Sequence, residues 1–134
     1  MKSIGIIFDH IHIISKEPRK AAEWYVHMLG GVITGEGDVK GAPQIYVAFD
    51  GAMIIIRGLR AGEDIEEKPG RQWGVDHFGF LIKENFDDFC DKLRCMGVRF
   101  SLDPMDFNPT TRIAYIEAPD GVIIELVYRK AVEQ

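Results

Sequence analysis

The chain repeats itself, and that repetition constrains its fold more than any other feature. FDHIHIISKEP at residues 8–18 returns as VDHFGFLIKEN at residues 75–85. In both copies an Asp-His pair opens an alternating apolar stretch that ends in Lys-Glu, at an offset of 67 residues (77 − 10). A helical pattern follows each. In the first copy Pro18 suits the opening turn, and Ala21, Ala22, Tyr25, Met28 and Leu29 recur at helical spacing before Gly30, which reads as a C-terminal cap. In the second, Asn85 is the expected N-cap with Asp88 three residues on. Phe86, Phe89, Cys90, Leu93 and Met96 form its apolar stripe, and Gly97 closes it.

Strand-like runs come next: VIT, QIYVAF and AMIIIRG in the first copy, VRF, RIAYIEA and VIIELVY in the second. The segments TGEGDVKGAP and SLDPMDFNPTT read as flexible loops that set specificity. Asp50-Gly51 and Asp120-Gly121 mark tight turns between the last two strands of each copy. The pattern therefore predicts an α+β fold of two βαβββ modules forming a curved mixed sheet. Module one covers about residues 5–57, a polar linker about 58–74, and module two about 75–129. Half a chain of this length has difficulty burying a sheet face alone, so the modules are expected to pack as one domain over residues 1–134.

Composition removes several functions. A formal charge of −5, with sixteen Lys and Arg scattered among acids, provides no basic stripe for nucleic acid. No apolar run approaches the roughly 20 residues that a bilayer span needs. The N-terminal stretch lacks the small-residue cleavage pattern of a signal peptide, so a cytoplasmic location is expected. Cys90 and Cys95 lie five apart in one helix, cannot bridge each other there, and read as reduced packing residues. His27 is expected at the surface, and Trp24 and Trp73 in packing or at an interface.

Alternation along a strand puts His10 and His12 on one face and Ile11 and Ile13 on the other, toward the helix layer. His77 takes the place of His10 in the second copy, and Gly79 that of His12. A lone strand histidine is most often a hydrogen-bonded packing residue; the same Asp-His pair at equivalent places in two copies needs another reason. Glu125, the one charged residue in VIIELVY, supplies it. A buried, unpaired carboxylate is costly, and a neighbouring cation removes the cost. His10, His77 and Glu125 are thus the candidate ligands of one divalent metal, a two-His, one-carboxylate set that suits Fe, Mn, Zn or Ni and leaves positions for a substrate. Asp9 and Asp76 are expected to point the other way, as structural residues.

The Asp-His openings, the helix ending EWYVHMLGG and the late APDGVIIEL together resemble the vicinal oxygen chelate superfamily, over nearly the whole chain. That superfamily includes glyoxalase I, methylmalonyl-CoA epimerase, extradiol dioxygenases, fosfomycin-modifying enzymes and bleomycin-binding proteins. The resemblance implies paired βαβββ modules around a metal cup, ligands matching His10, His77 and Glu125, a small-molecule substrate with vicinal oxygens, and a homodimer. It implies lyase or isomerase chemistry or extradiol-type dioxygenase chemistry, with a non-catalytic sequestration protein of the bleomycin-resistance type as the alternative. Glyoxalase I and the epimerase use a fourth ligand where this chain has Ile55. YIEAPDGVIIE is similar to the extradiol signature, in which a tyrosine matching Tyr115 acts near the substrate.

Within such a site His12, two residues beyond His10 on the same face, is the acid-base candidate. Tyr115 is the second catalytic candidate, as donor to a substrate oxygen. Met53, Ile55 and Arg57 share one face of their strand and are expected to offer the substrate an apolar wall with a cationic rim.

Overall fold

The computed structural model describes residues 5–130, and the chain divides into two compact units, Met1–Glu67 and Lys68–Gln134. The first holds β1 (His10–Ile14), α1 (Pro18–Leu29), β2 (Val32–Val39), β3 (Ala42–Phe49) and β4 (Ala52–Arg57). Its strands lie in the order β1-β4-β3-β2, with β1 parallel to β4 and the other pairs antiparallel. The second holds β5 (Phe78–Leu81), α2 (Phe86–Cys95), β6 (Phe100–Asn108), β7 (Thr111–Glu117), a 3-10 turn (Pro119–Gly121) and β8 (Ile123–Arg129). Its order, β5-β8-β7-β6, is the same topology. The two βαβββ modules of the expected α+β fold are therefore present, each with its own four-stranded mixed sheet.

Strand register extends the repeat beyond the sequence match. His12 pairs with Ile55 across β1 and β4, and Gly79 pairs with Glu125 across β5 and β8. Ile55 and Glu125 thus hold equivalent positions, as the aligned turns FDG and PDG imply. One strand further, Tyr46 pairs with Ile55 and Tyr115 with Glu125, so a tyrosine is repeated too.

Each sheet buries one face with its helix. Pro18 opens α1, where its missing N–H is not needed. Gly30, at φ 76°, ends it by turning left-handed, its N–H donating to the Val26 carbonyl and the Gly31 N–H to the Tyr25 carbonyl. Between them Ala21, Ala22 and Tyr25 are buried, as are Ile13, Ile45, Val47, Ile54 and Ile56 of the sheet. The second core consists of Phe86, Cys90 and Leu93 of α2 with Ala114, Ile116, Ile124 and Leu126. These sheet residues alternate with His10, His12, Ile55, Tyr115 and Glu125, which occupy the faces away from the helices.

Four local expectations change. The segments TGEGDVKGAP and SLDPMDFNPTT are hairpin strand rather than loop: β2 and β3 run to a two-residue turn at Lys40-Gly41, both in the left-handed region at φ 53° and 83°. The Gly and Asp residues of β2 and Pro104 of β6 are accommodated because both are edge strands, where a weakened ladder is tolerated, while Pro43 is the second residue of the inner strand β3. Asn85 adopts φ 56° and makes no side-chain cap, so the turn of its backbone, not its amide, starts α2. Asp50-Gly51 closes a two-residue turn between Phe49 and Ala52. Asp120-Gly121, however, sits in a five-residue connection closed by the Ala118 N–H on the Val122 carbonyl at 2.8 Å. Finally, Cys95 is exposed rather than packed, and Trp73, expected in packing or at an interface, is exposed.

Among the described residues no helix is long and apolar enough to cross a membrane.

Candidate functional site

In the second unit the chain brings three sequence candidates together. His77 precedes β5, on the same side of the strand as Gly79, and Glu125 lies directly across from Gly79 on β8. The His77 Nε2 stands 2.7 Å from Glu125 Oε1, and its Nδ1 stands 2.8 Å from Asp76 Oδ2. Two carboxylates thus accept from one imidazole, which holds its proton more tightly than an ordinary histidine; the Asp76 hydrogen bond is the largest cause, Glu125 adds to it, and partial burial opposes both. The same bond pulls the Asp76 carboxyl below its usual range. A side chain at position 79 would place its Cβ 3.0 Å from the Glu125 carbonyl oxygen and 3.4 Å from the Glu125 Cβ, so glycine keeps this side of the carboxylate open. The Tyr115 ring lies against His77, centroids 5.1 Å apart and tilted by 41°.

In the first unit His10 repeats the arrangement, with Nδ1 2.7 Å from Asp9 Oδ2. Asp9 and Asp76 therefore do not point away, as alternation suggested; each orients the histidine that follows it. Both lie just before the regular strand, outside the run on which alternation was read. An imidazole with Nδ1–H donated to a carboxylate presents Nε2 as its ligating atom.

His12 stands edge-on to His10, ring centroids 6.3 Å apart. Burial lowers its proton affinity first, and the neighbouring Arg57, Arg60 and His10 lower it further, so its neutral form is favoured beyond that of an ordinary histidine. Met53 is level with His10 and Ile55 with His12. Arg57 is not an open rim. It is buried and forks onto Glu63, Nη1 to Oε1 at 2.5 Å and Nη2 to Oε2 at 3.0 Å, and donates to the Gly58 carbonyl. The reason is tertiary: residues 58–63, expected to be linker, fold back on the end of the sheet. The paired Arg57 guanidinium holds the Glu63 carboxyl down at about 2.

Glu63, Gln44, Tyr46 and the histidine-orienting aspartates are what sequence reasoning missed. Tyr46 had a signal, since QIYVAF and RIAYIEA place a tyrosine at matching points of the third strand. Gln44 and Glu63 had none.

The second unit thus assembles His77, Glu125, Asp76 and Tyr115, and the first assembles His10, His12, Met53 and Ile55. Among the described residues no single cluster contains three or more His, Cys, Asp or Glu placed to hold a metal. Within each unit the donor chemistry nonetheless suits a divalent ion: an imidazole oriented through Nδ1 by a carboxylate, and in the second unit a further carboxylate at hydrogen-bond distance from it.

A family model described as Glyoxalase/Bleomycin resistance protein/Dioxygenase superfamily matches residues 7–126. Solved structures with the same fold include a glyoxalase family protein from Bacillus cereus, with 16% identity, TM-score 0.80, and coverage of 97% of this chain and 98% of that one. A glyoxylase/bleomycin resistance protein/dioxygenase domain from Frankia sp. EAN1pec follows with 16% identity, TM-score 0.74, and coverage of 97% and 99%. A glyoxalase family protein from Enterococcus faecalis has 19% identity, TM-score 0.69, and coverage of 88% and 94%. Comparison with curated protein sequences returned no significant match.

Proposed function

Because the chain belongs to the Glyoxalase/Bleomycin resistance protein/Dioxygenase superfamily, we propose that it is an enzyme acting on a small molecule with vicinal oxygens, and that His10, His77 and Glu125 hold the divalent metal it uses. The ligands come from one chain or from two copies of it in a homodimer. The observation that carries this reading is the Asp-oriented histidine, present in both halves, with Glu125 already against one of the pair. A structural histidine needs no such duplication.

Bound there, a divalent ion supplies Lewis acidity that stabilises negative charge on a substrate oxygen. The chain's own residues do the rest. Asp9 and Asp76 fix the histidine tautomers. His12, whose charged form is disfavoured by burial and by the neighbouring Arg57, Arg60 and His10, accepts a proton on a ring nitrogen. Tyr115, level with Glu125, donates its phenolic O–H to substrate oxygen. Met53 and Ile55 supply apolar contact. Ile55 occupies the position equivalent to Glu125, so the first module contributes no carboxylate and the ligand set has three members. That count, with Tyr115, favours extradiol-type oxygen chemistry; the chain length favours lyase or isomerase work.

The test is metal analysis of protein purified without added metal, beside His10→Ala and Glu125→Gln. Stoichiometric metal in the wild type and its loss in both variants is the expected result. Iron with catechol-dependent oxygen uptake selects the dioxygenase, and nickel, zinc or cobalt with no oxygen uptake selects the lyase or isomerase. A wild type that binds no more metal than the variants overturns the metal reading. It leaves a non-catalytic small-molecule binder, a reading favoured by the apolar Met53 and Ile55 wall.

A further inference from the structure

The far end of the first sheet holds a polar cluster that the metal chemistry does not use. Gln44 is level with Arg57 on the helix-free face, Tyr46 is level with Ile55, and Arg60 and Glu63 reach them from the fold-back after β4. The acceptors of the cluster are all engaged internally. Glu63 Oε1 accepts from Arg57 Nη1 and from the Arg60 backbone N–H at 2.7 Å, and Oε2 accepts from Arg57 Nη2. Gln44 Oε1 accepts from Arg60 Nη2 at 3.1 Å, and the Tyr46 hydroxyl oxygen accepts from Gln44 Nε2 at 2.8 Å.

Donors remain. Arg60 Nε is buried with no hydrogen-bond partner among the described residues. The Tyr46 hydroxyl, having accepted, still has its own proton to give. The charges are unbalanced in the same direction, since the Glu63 carboxylate pairs with the Arg57 guanidinium alone and the Arg60 guanidinium meets a neutral amide where an acid would be the natural partner. A buried N–H without an acceptor costs about 1–3 kcal/mol. An acceptor that also carries a negative charge relieves both deficits at once.

We propose that Arg60 and Tyr46, held in place by Gln44 and Glu63, bind the carboxylate of this protein's small-molecule ligand. That the ligand is the substrate rests on the function proposed above; the binding itself does not. Position then limits the ligand's shape. On the same face Tyr46 is level with His12, two residues along from His10, and Gln44 is level with Ile14, four residues along. Those steps correspond to about 7 and 13 Å. The ligand is an extended acid whose carboxylate lies several bonds from the oxygens presented at His10, not a compact 2-oxo or 2-hydroxy acid whose groups are adjacent.

The experiment uses the full chain, free of metal, with benzoate as probe and benzamide as its neutral counterpart. Titration is followed by NMR through the arginine Nε–H resonances, that of Arg60 in the wild type and that of Arg57 in wild type and Arg60 variants alike. Benzoate is expected to shift the Arg60 Nε–H saturably, with benzamide about tenfold weaker or worse; Arg60→Gln should raise the benzoate Kd by about tenfold or more, and Tyr46→Phe by a smaller factor. Equal binding of the two probes, an unchanged Kd in Arg60→Gln, or the absence of a saturable Arg60 shift overturns the proposal. Arg60→Lys, which keeps the charge and removes Nε, should fall between wild type and Arg60→Gln. Metal binding measured on the same samples separates the two readings: benzoate binding without metal binding leaves this site standing and removes the metal centre, and the reverse removes this site alone.

Discussion

Asp76 and Glu125 grip opposite nitrogens of the His77 imidazole, at 2.8 and 2.7 Å, so that each ring nitrogen faces a carboxylate and the doubly protonated ring is favoured. The charged form is favoured in the folded state, and the pKa is raised above 6.5. The stability this contributes is fully present below the unfolded-state value of 6.5 and is lost as pH rises through the higher folded value. Asp76→Asn removes the largest cause and should bring the His77 midpoint down in an NMR titration of the metal-free protein; an unmoved midpoint would show that Asp76 does not govern it.

Glu63 works in the opposite sense. Its carboxyl is lowered from 4.5 to about 2 by Arg57, so its contribution is present above 4.5 and disappears as pH falls from there to about 2. Denaturant midpoints measured across that window should fall more steeply for the wild type than for Glu63→Gln. Parallel curves would mean that the Arg57 pair adds nothing to folding.

The two thiols should differ sharply in reactivity. Cys90 is fully buried and its thiol is pushed up to about 11, chiefly by burial, whereas Cys95 is exposed. At mildly alkaline pH a thiol reagent should modify one cysteine quickly and the second only on unfolding, and Cys95→Ser should abolish the fast phase.

Gly31 lies where α1 hands the chain to β2. A methyl group there would meet Val47 Cγ1 at 2.6 Å and Phe49 Cζ at 2.7 Å. Gly31→Ala should therefore cost roughly 1–3 kcal/mol of stability through overpacking. Circular dichroism melts and denaturant midpoints provide the measurement, and a neutral result would mean that the helix end can shift to make room.

Much of the molecule follows from the sequence alone, for a local reason. Side-chain alternation and helical spacing are properties of neighbouring residues, so the duplicated patterns at His10 and His77 were enough to specify two βαβββ modules. They also showed that Ile55 and Glu125 correspond. The strands within TGEGDVKGAP and SLDPMDFNPTT were not legible, because most of the Gly and Pro residues inside them are tolerated by edge position, and edge position is a matter of strand order. Polar partners were decided by tertiary structure. Asp9 and Asp76, just outside the regular strands, turn toward the histidines that follow them, and Arg57 faces Glu63 instead of a ligand because residues 58–63 fold back over the sheet end. A hydrogen bond or ion pair depends on which groups arrive within about 3 Å of each other; periodicity in the chain carries no information about that distance.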